Sequence, residues 1–350
     1  MSDASLVVAA FVVAAPIAAF AHAWSVRFAR LCGALDIPSG YKAHATPTPL
    51  LGGLSVAAGF AVAASLFAPR VLSANAAGAW ALALGAGVIV AAGLYDDVVG
   101  LRPARKLGWQ IGATILAGGL LAVLGVRLDL FLEWPSLPQS MLTLVWIVGV
   151  TNALNLLDNM NGLCAGIGAI AAAALAVLNH GFGDTTVAVL AAALSGACVG
   201  YLPFNYPRAQ SFLGDTGSML IGFSLAALSV MGVYTNGARI PELAVLAPLV
   251  VSTLPIVDVV VVVLLRRRVR ARALRGDRLH DSHRLVRRRF GPPRAVALVW
   301  AMAAMCGAVA VALPSLRPVH TVLALAGLIA VLAGFFAMAG WRGLDDHAGS

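Results

Sequence analysis

Charged side chains are scarce in this chain: Asp, Glu, Lys and Arg make up 11% of its 350 residues, against about 25% in an ordinary soluble domain. With 60% of residues hydrophobic, that scarcity excludes a domain dissolved in water and makes the bilayer the solvent. Alternation is missing as well. The apolar stretches run unbroken for ~18–22 residues, so they read as helices crossing a core about 30 Å thick and not as barrel strands. The four cysteines, Cys32, Cys164, Cys198 and Cys306, show no metal-ligand or disulfide-framework spacing and read as small buried hydrophobes. No basic stretch precedes the first apolar run, Ser5 to Trp24, which is expected to be a retained span and not a cleaved leader. No internal repeat is evident, which argues against an inverted-repeat transporter.

Glycine, by contrast, is abundant, with 36 residues, and suits close helix–helix contact in lipid. The hydropathy pattern predicts an all-α, polytopic membrane protein of about eleven spans, near 5–24, 50–69, 77–95, 107–126, 139–157, 162–179, 186–204, 217–235, 242–264, 295–313 and 319–340. Residues 1–350 read as one transmembrane domain. Alternate connections at 25–49, 96–106, 158–161, 205–216 and 265–294, with the tail after 340, hold 20 of the 24 Lys and Arg residues. The bias toward positive charge inside places these in the cytoplasm, with the N-terminus outside and the C-terminus inside. The Arg-rich stretch 266–294 has a single aromatic, Phe290, and no pattern of aromatic interleaving. It reads as a topology signal that also meets anionic headgroups, not as a nucleic-acid site.

The acids gather on the same side. Asp36, Lys42 and His44 lie in the first such connection, with the turn "PTPLLGG" behind them. Asp96 and Asp97 sit side by side at a span end, followed by Lys106. Asn152, Asn155, Asp158, Asn159 and Asn161 crowd into "TNALNLLDNMNGL". Asn205, Phe212 and Asp215 lie in "FNYPRAQSFLGDTGS", and His280 and His283 in "RLHDSHRL". Carboxylates at span ends are costly and mark function, and an adjacent pair needs a compensating cation or proton. Without zinc-type spacing, the set suits a hard cation such as Mg²⁺, which takes one or two carboxylates and fills its shell with water and substrate phosphate. The basic residues suit a phosphorylated substrate. The "GDTGS" turn before a span is expected to offer backbone amides to an anion. At about 100° per residue, Asn152, Asn155 and Asp158 share a third of a helix circumference and are expected to face one cleft. These features point to metal-assisted phosphoryl transfer at a membrane face.

On these motifs, "YDDVVGL", "NALNLLDNMNGL", "FNYPRAQSFLGDTGS" and the His-containing basic loop in one polytopic chain, the sequence resembles the polyprenyl-phosphate N-acetylhexosamine-1-phosphate transferases of glycosyltransferase family 4. The resemblance implies attack of a polyprenyl phosphate on a UDP-amino-sugar with loss of UMP, at the cytoplasmic face of the inner membrane. It implies Mg²⁺, with Mn²⁺ as the alternative, and a homodimer in some members. By the same resemblance Asp215 is a metal ligand, Asp96 and Asp97 are a metal-positioning or proton-accepting pair, and Asp158 joins them in catalysis. Asn155 sits in the central polar motif. Asn205 and Phe212 are uracil-pocket residues, and Lys42, Lys106, His280 and His283 face phosphate. The resemblance puts an acid at Asp258, within a span, and Asn161 where a carboxylate would accept from the uracil N–H. The chain departs from the family pattern at Asn159 and Asn161 (Gly and Asp in many members), in the order His280-Asp281-Ser282-His283, and at Leu50, where Arg is common. The last loop argues against the related phospho-N-acetylmuramoyl-pentapeptide transferases, whose loop is richer in His. Two further readings are a cation-coupled transporter using the acids as ion sites and an inactive relative acting as a scaffold.

Overall fold

The computed structural model describes residues 2–37, 46–68, 76–126, 135–234, 246–268, 285–286 and 290–339. The protein is an all-α helical bundle with one minimal strand pair. Its described α-helices are α1 (Asp3–Cys32), α2 (Gly53–Phe67), α3 (Ala76–Val99), α4 (Pro103–Val123), α5 (Ser136–Leu157), α6 (Leu163–Gly181), α7 (Thr185–Tyr201), α8 (Gly214–Met231), α9 (Ala247–Val251), α10 (Thr253–Arg268), α11 (Pro292–Ala312) and α12 (Pro318–Met338). Among the described residues nine helices are long and apolar enough to cross a membrane. The expected span at 50–69 emerges shorter, and the one at 242–264 is interrupted within its described residues. The first is α2, with 15 residues, and the second breaks at Ser252 between α9 and α10.

α8 is the axis. Every residue from Thr216 to Met231 is buried, and a helix that is apolar all round belongs in the middle of a bundle. It lies between α3 and α5, with α2 and α6 also against it, while α1 packs along α7 and α2. Small residues permit these approaches. A Cβ on Gly196 or Gly200 of α7 would strike the backbone of Phe11 or Ala15 on α1. A Cβ on Gly53 of α2 would strike Gly217, and one on Gly93 of α3 would strike Thr216. The first turn of α8 is therefore gripped between α2 and α3 by backbone-to-backbone contact.

Two boundaries differ from the sequence expectation, and both matter for the site. The connection expected at 96–106 shrinks to three residues, because α3 runs on to Val99 and α4 starts at Pro103. Gly100, at φ 69°, supplies the left-handed turn that stops α3, and Pro103 is preset for a helix start. Asp96, Asp97 and Lys106 thus stand on rigid helices and not in a loop. The expected connection at 205–216 likewise ends early, so Asp215 falls in the first turn of α8. The strand pair, Leu35–Asp36 against Thr48–Pro49, is antiparallel and brings Asp36 to the same end of the bundle.

Candidate active site

A helix begins with amides that have no intrahelical partner. At the start of α8 two of those amides are satisfied from another helix. Asp97 Oδ1 accepts from the Asp215 amide at 2.8 Å, and Oδ2 accepts from the Thr216 amide at 2.9 Å and from Thr216 Oγ1 at 2.6 Å. Asp97 is therefore the cap of α8, supplied by α3. This corrects, for the Asp215 and Thr216 amides, the expectation that the "GDTGS" turn offers its amides to a substrate anion: a carboxylate of the protein already takes these two.

The neighbouring acid has a different role. Asp96 Oδ1 accepts from the Leu101 amide at 3.1 Å, and its Oδ2 lies 3.4 Å from Lys106 Nζ. Lys106 Nζ also donates to Asp215 Oδ2, so one ammonium bridges the two acids. Asp215 Oδ1 accepts from Asn155 Nδ2 at 2.8 Å. The same amide group reaches Ser218 Oγ at 2.9 Å, and Ser218 Oγ donates to the Gly214 carbonyl at 2.9 Å. Lys106 stays 37% exposed, so its pairing is screened and contributes little to stability.

These groups line a cleft of about 420 Å³. Asp36, Leu50, Asp96, Asp97, Lys106, Asn155, Asp158, Asn161, Asn205, Phe212 and Asp215 all contribute to its wall, with Ser218 and the Asn159–Met160 turn. Asp158 follows the end of α5. Burial, then the charges of Asp215 and Asp97, push its carboxyl up to about 8 against the opposing pull of Lys106.

The stretch of wall around Asn205 and Phe212 is tightly cross-linked. Asn205 is buried with both ends of its amide engaged: Oδ1 accepts from the Gly162 amide at 2.5 Å and Nδ2 donates to the Ser211 carbonyl at 2.8 Å. It ties the α5–α6 turn to the approach of α8. The Phe212 amide donates to the Pro49 carbonyl at 2.8 Å, and the Gly52 and Gly53 amides donate to the Phe212 and Leu213 carbonyls at 3.0 and 2.8 Å. The "PTPLLGG" turn thus acts as a strap that sets the main chain beneath the Phe212 ring. Asn161 Nδ2 reaches the Pro207 carbonyl at 3.4 Å.

Not every expected residue arrives. Asn152 does not line the cleft; its amide donates to the Val148 carbonyl at 2.8 Å, within its own helix. Asp258 is buried on α10 and is not part of the cleft wall. Lys42, His44, His280 and His283 lie outside the described residues. Ser218 was missed as a site residue, although its position one turn after Asp215 is the signal that would have found it.

The donor set suits a hard cation. Among the described residues no group of three or more His, Cys, Asp or Glu side chains is placed to hold a metal ion by itself. Asp215 and Asp158 both line one open cleft instead. An open pair of carboxylates completed by phosphate oxygens is the usual habit of Mg²⁺.

The family model described as glycosyl transferase family 4 matches residues 79–233, a stretch running from α3 to just past α8. A probable undecaprenyl-phosphate N-acetylglucosaminyl 1-phosphate transferase of Bacillus subtilis (strain 168) is 30% identical over 270 residues, 74% of this chain and 72% of the relative. A decaprenyl-phosphate N-acetylglucosaminephosphotransferase of Mycolicibacterium smegmatis is 34% identical over 318 residues, 82% of this chain and 77% of the relative. A phospho-N-acetylmuramoyl-pentapeptide-transferase of Halalkalibacterium halodurans is 35% identical over a shorter 216 residues, 55% of this chain and 64% of the relative. With the acid-lined cleft lying largely inside the matched stretch, and relatives aligned over more than two thirds of their own length, the chain belongs to glycosyl transferase family 4.

Proposed function

We propose that this protein transfers N-acetylglucosamine-1-phosphate from a UDP-sugar to a polyprenyl phosphate, at the cytoplasmic face of the inner membrane, and so begins a lipid-linked envelope glycan. One observation carries the reading: Asp215, Asn155, Lys106 and Asp96 are joined in one hydrogen-bonded and ionic network on the wall of a single cleft. The family relatives named for this reaction support the sugar and the acceptor. The bias of Lys and Arg toward the connections at the cleft end supports the cytoplasmic orientation.

In the reaction an oxygen of the lipid phosphate attacks the sugar-bearing phosphorus of the UDP-sugar. A new P–O–P link forms, the old one breaks, and UMP leaves with the bonding electron pair. Asp215 and Asp158 would hold a Mg²⁺ ion, which supplies charge neutralisation for the diphosphate when bound. Lys106 exchanges its carboxylate contacts for phosphate oxygens. Asp96 is the member of the acidic pair available to the acceptor phosphate, since both oxygens of Asp97 are engaged by α8. Phe212 supplies a face for the uracil, and Asn161 shares the cleft wall with it.

The test uses purified protein, Mg²⁺, polyprenyl phosphate and a panel of UDP-amino-sugars, with UMP measured and lipid products weighed by mass spectrometry. UDP-GlcNAc is expected to yield UMP and a lipid diphosphate-sugar. No UMP from any combination would refute the proposal. Formation of product only from UDP-MurNAc-pentapeptide would favour the pentapeptide-transferase reading. Substrate-dependent cation uptake in proteoliposomes without UMP release would favour the transporter.

A further inference from the structure

His22 stands on α1, remote in sequence from every motif of the cleft. A histidine buried in a membrane helix is costly unless its ring nitrogens find partners. Here the ring lies flat on Phe204, with centroids 3.9 Å apart and planes 11° from parallel. Its Nε2 is 3.0 Å from Ser211 Oγ, and both residues are buried.

Ser211 is held from three directions. Its carbonyl accepts from Tyr201 OH at 3.0 Å and from Asn205 Nδ2 at 2.8 Å, while its hydroxyl meets His22. The next residue is Phe212, whose own amide and carbonyl are fixed by Pro49 and Gly52. The main chain under the Phe212 ring is therefore pinned on both sides: by the "PTPLLGG" strap after Ser211 and by the His22–Tyr201–Asn205 set at Ser211. A Cβ on Gly52 would strike Tyr201 OH and the Phe212 carbonyl, so the two restraints are in contact and leave the segment one arrangement.

We infer that His22 is a positioning residue for nucleotide recognition: through Ser211 it sets the Phe212 ring that stacks on the uracil, and so fixes affinity for the uridine part of the donor. This rests on the proposed use of Phe212 as the base platform. It assigns no contact between His22 and substrate. Its effect belongs to the base and not to the diphosphate, which the proposed function assigns to the acids and Lys106.

The experiment measures UMP release together with inhibition by UMP and by inorganic pyrophosphate, for wild type, His22→Phe, His22→Gln, Ser211→Ala and the His22→Phe/Ser211→Ala double variant. His22→Phe keeps a flat ring on Phe204 and loses the hydrogen bond; His22→Gln keeps a group able to bond Ser211. Loss of one buried hydrogen bond predicts about a fivefold rise in KM for the UDP-sugar and in Ki for UMP, with kcat and pyrophosphate inhibition moving less. The double variant should match His22→Phe alone, and His22→Gln should restore most of the loss. Unchanged UMP inhibition in both single variants would overturn the inference, as would a parallel weakening of pyrophosphate. So would additive effects in the double variant. A purely structural role would lower thermal stability without separating UMP from pyrophosphate. Should His22→Phe fail to fold, Ser211→Ala decides. Wild type that neither releases nor binds UMP would sink the proposed function itself, which is distinct from variants that behave like an active wild type.

Discussion

The two ends of α8 solve the same problem in opposite ways. At its C-terminal end, Asn179 from α6 accepts from the Val233 amide at 3.0 Å and donates to the Leu175 carbonyl at 2.9 Å. Tyr234 OH donates to the Ser229 carbonyl at 3.0 Å. These groups are neutral, and each donor meets an acceptor. At the N-terminal end the cap is a carboxylate, Asp97, and four more acids (Asp36, Asp96, Asp158 and Asp215) share the cleft with one lysine. The positive end of the helix offsets part of that charge, and the rest is left for a cation or a proton. Buried polarity in a membrane bundle is thus not by itself a sign of chemistry. An excess of one charge facing an open cleft is.

The sharpest way to break the comparison is Asp215→Asn. It removes the charge at the N-terminal end and retains a group that can bond Asn155. Turnover should fall on the order of 100-fold or more, as when a single group stabilising transition-state charge is lost, with thermal stability nearly unchanged. Second comes a matched pair of variants at the two ends. Asp97→Ala leaves the first amides of α8 without a cap and should cost about 1–3 kcal/mol of stability together with much of the activity, because Asp215 loses its fixed place. Asn179→Leu at the other end should cost about 1–2 kcal/mol and leave kcat unchanged. Melting curves and UMP release on the same samples separate the two.

The pH dependence gives a smaller effect. Asp158 holds its proton in the folded protein up to about 8, against an ordinary value of 3.8. Over that window the folded chain binds a proton that the unfolded chain has released, so this contribution to stability is full at the acid end and is lost as pH rises through about 8. In buffer free of divalent cations, the melting temperature of Asp158→Asn should therefore decline less from pH 5 to pH 9 than that of wild type. An identical decline would place the titrating group elsewhere. The smallest change is expected for Asn161→Asp, which forfeits the 3.4 Å contact to Pro207 and restores an acceptor charge beside the nucleotide. UMP affinity should change a few-fold, about the value of one exposed hydrogen bond, and the Mg²⁺ requirement should not. A shifted Mg²⁺ requirement would move Asn161 into the metal shell.

Much of this was legible in the sequence. Long apolar runs place nearly every span, since the bilayer forces backbone groups to be satisfied within each helix, and the acids at span ends mark the cleft. Helix ends were less legible. The hydropathy of "YDDVVGLRPARK" suggests a loop, yet Gly100 and Pro103 confine the turn to three residues and leave Asp96, Asp97 and Lys106 on helices. Periodicity placed Asn152 with Asn155, but a short amide side chain can turn back to its own helix, as Asn152 does. Nor does adjacency reveal which of two aspartates caps a distant helix, because that depends on where α3 and α8 cross. His22 was illegible for the same reason: its partner lies 189 residues away.

The most direct test of the account is a Mg²⁺ titration of UMP release from UDP-GlcNAc and polyprenyl phosphate, run side by side on wild type, Asp215→Asn and Asn179→Leu. Wild type and Asn179→Leu should turn over with the same Mg²⁺ dependence, and Asp215→Asn should show little turnover at any concentration. Full turnover by Asp215→Asn at the wild-type Mg²⁺ requirement would contradict the assignment of the chemistry to the acidic end of α8.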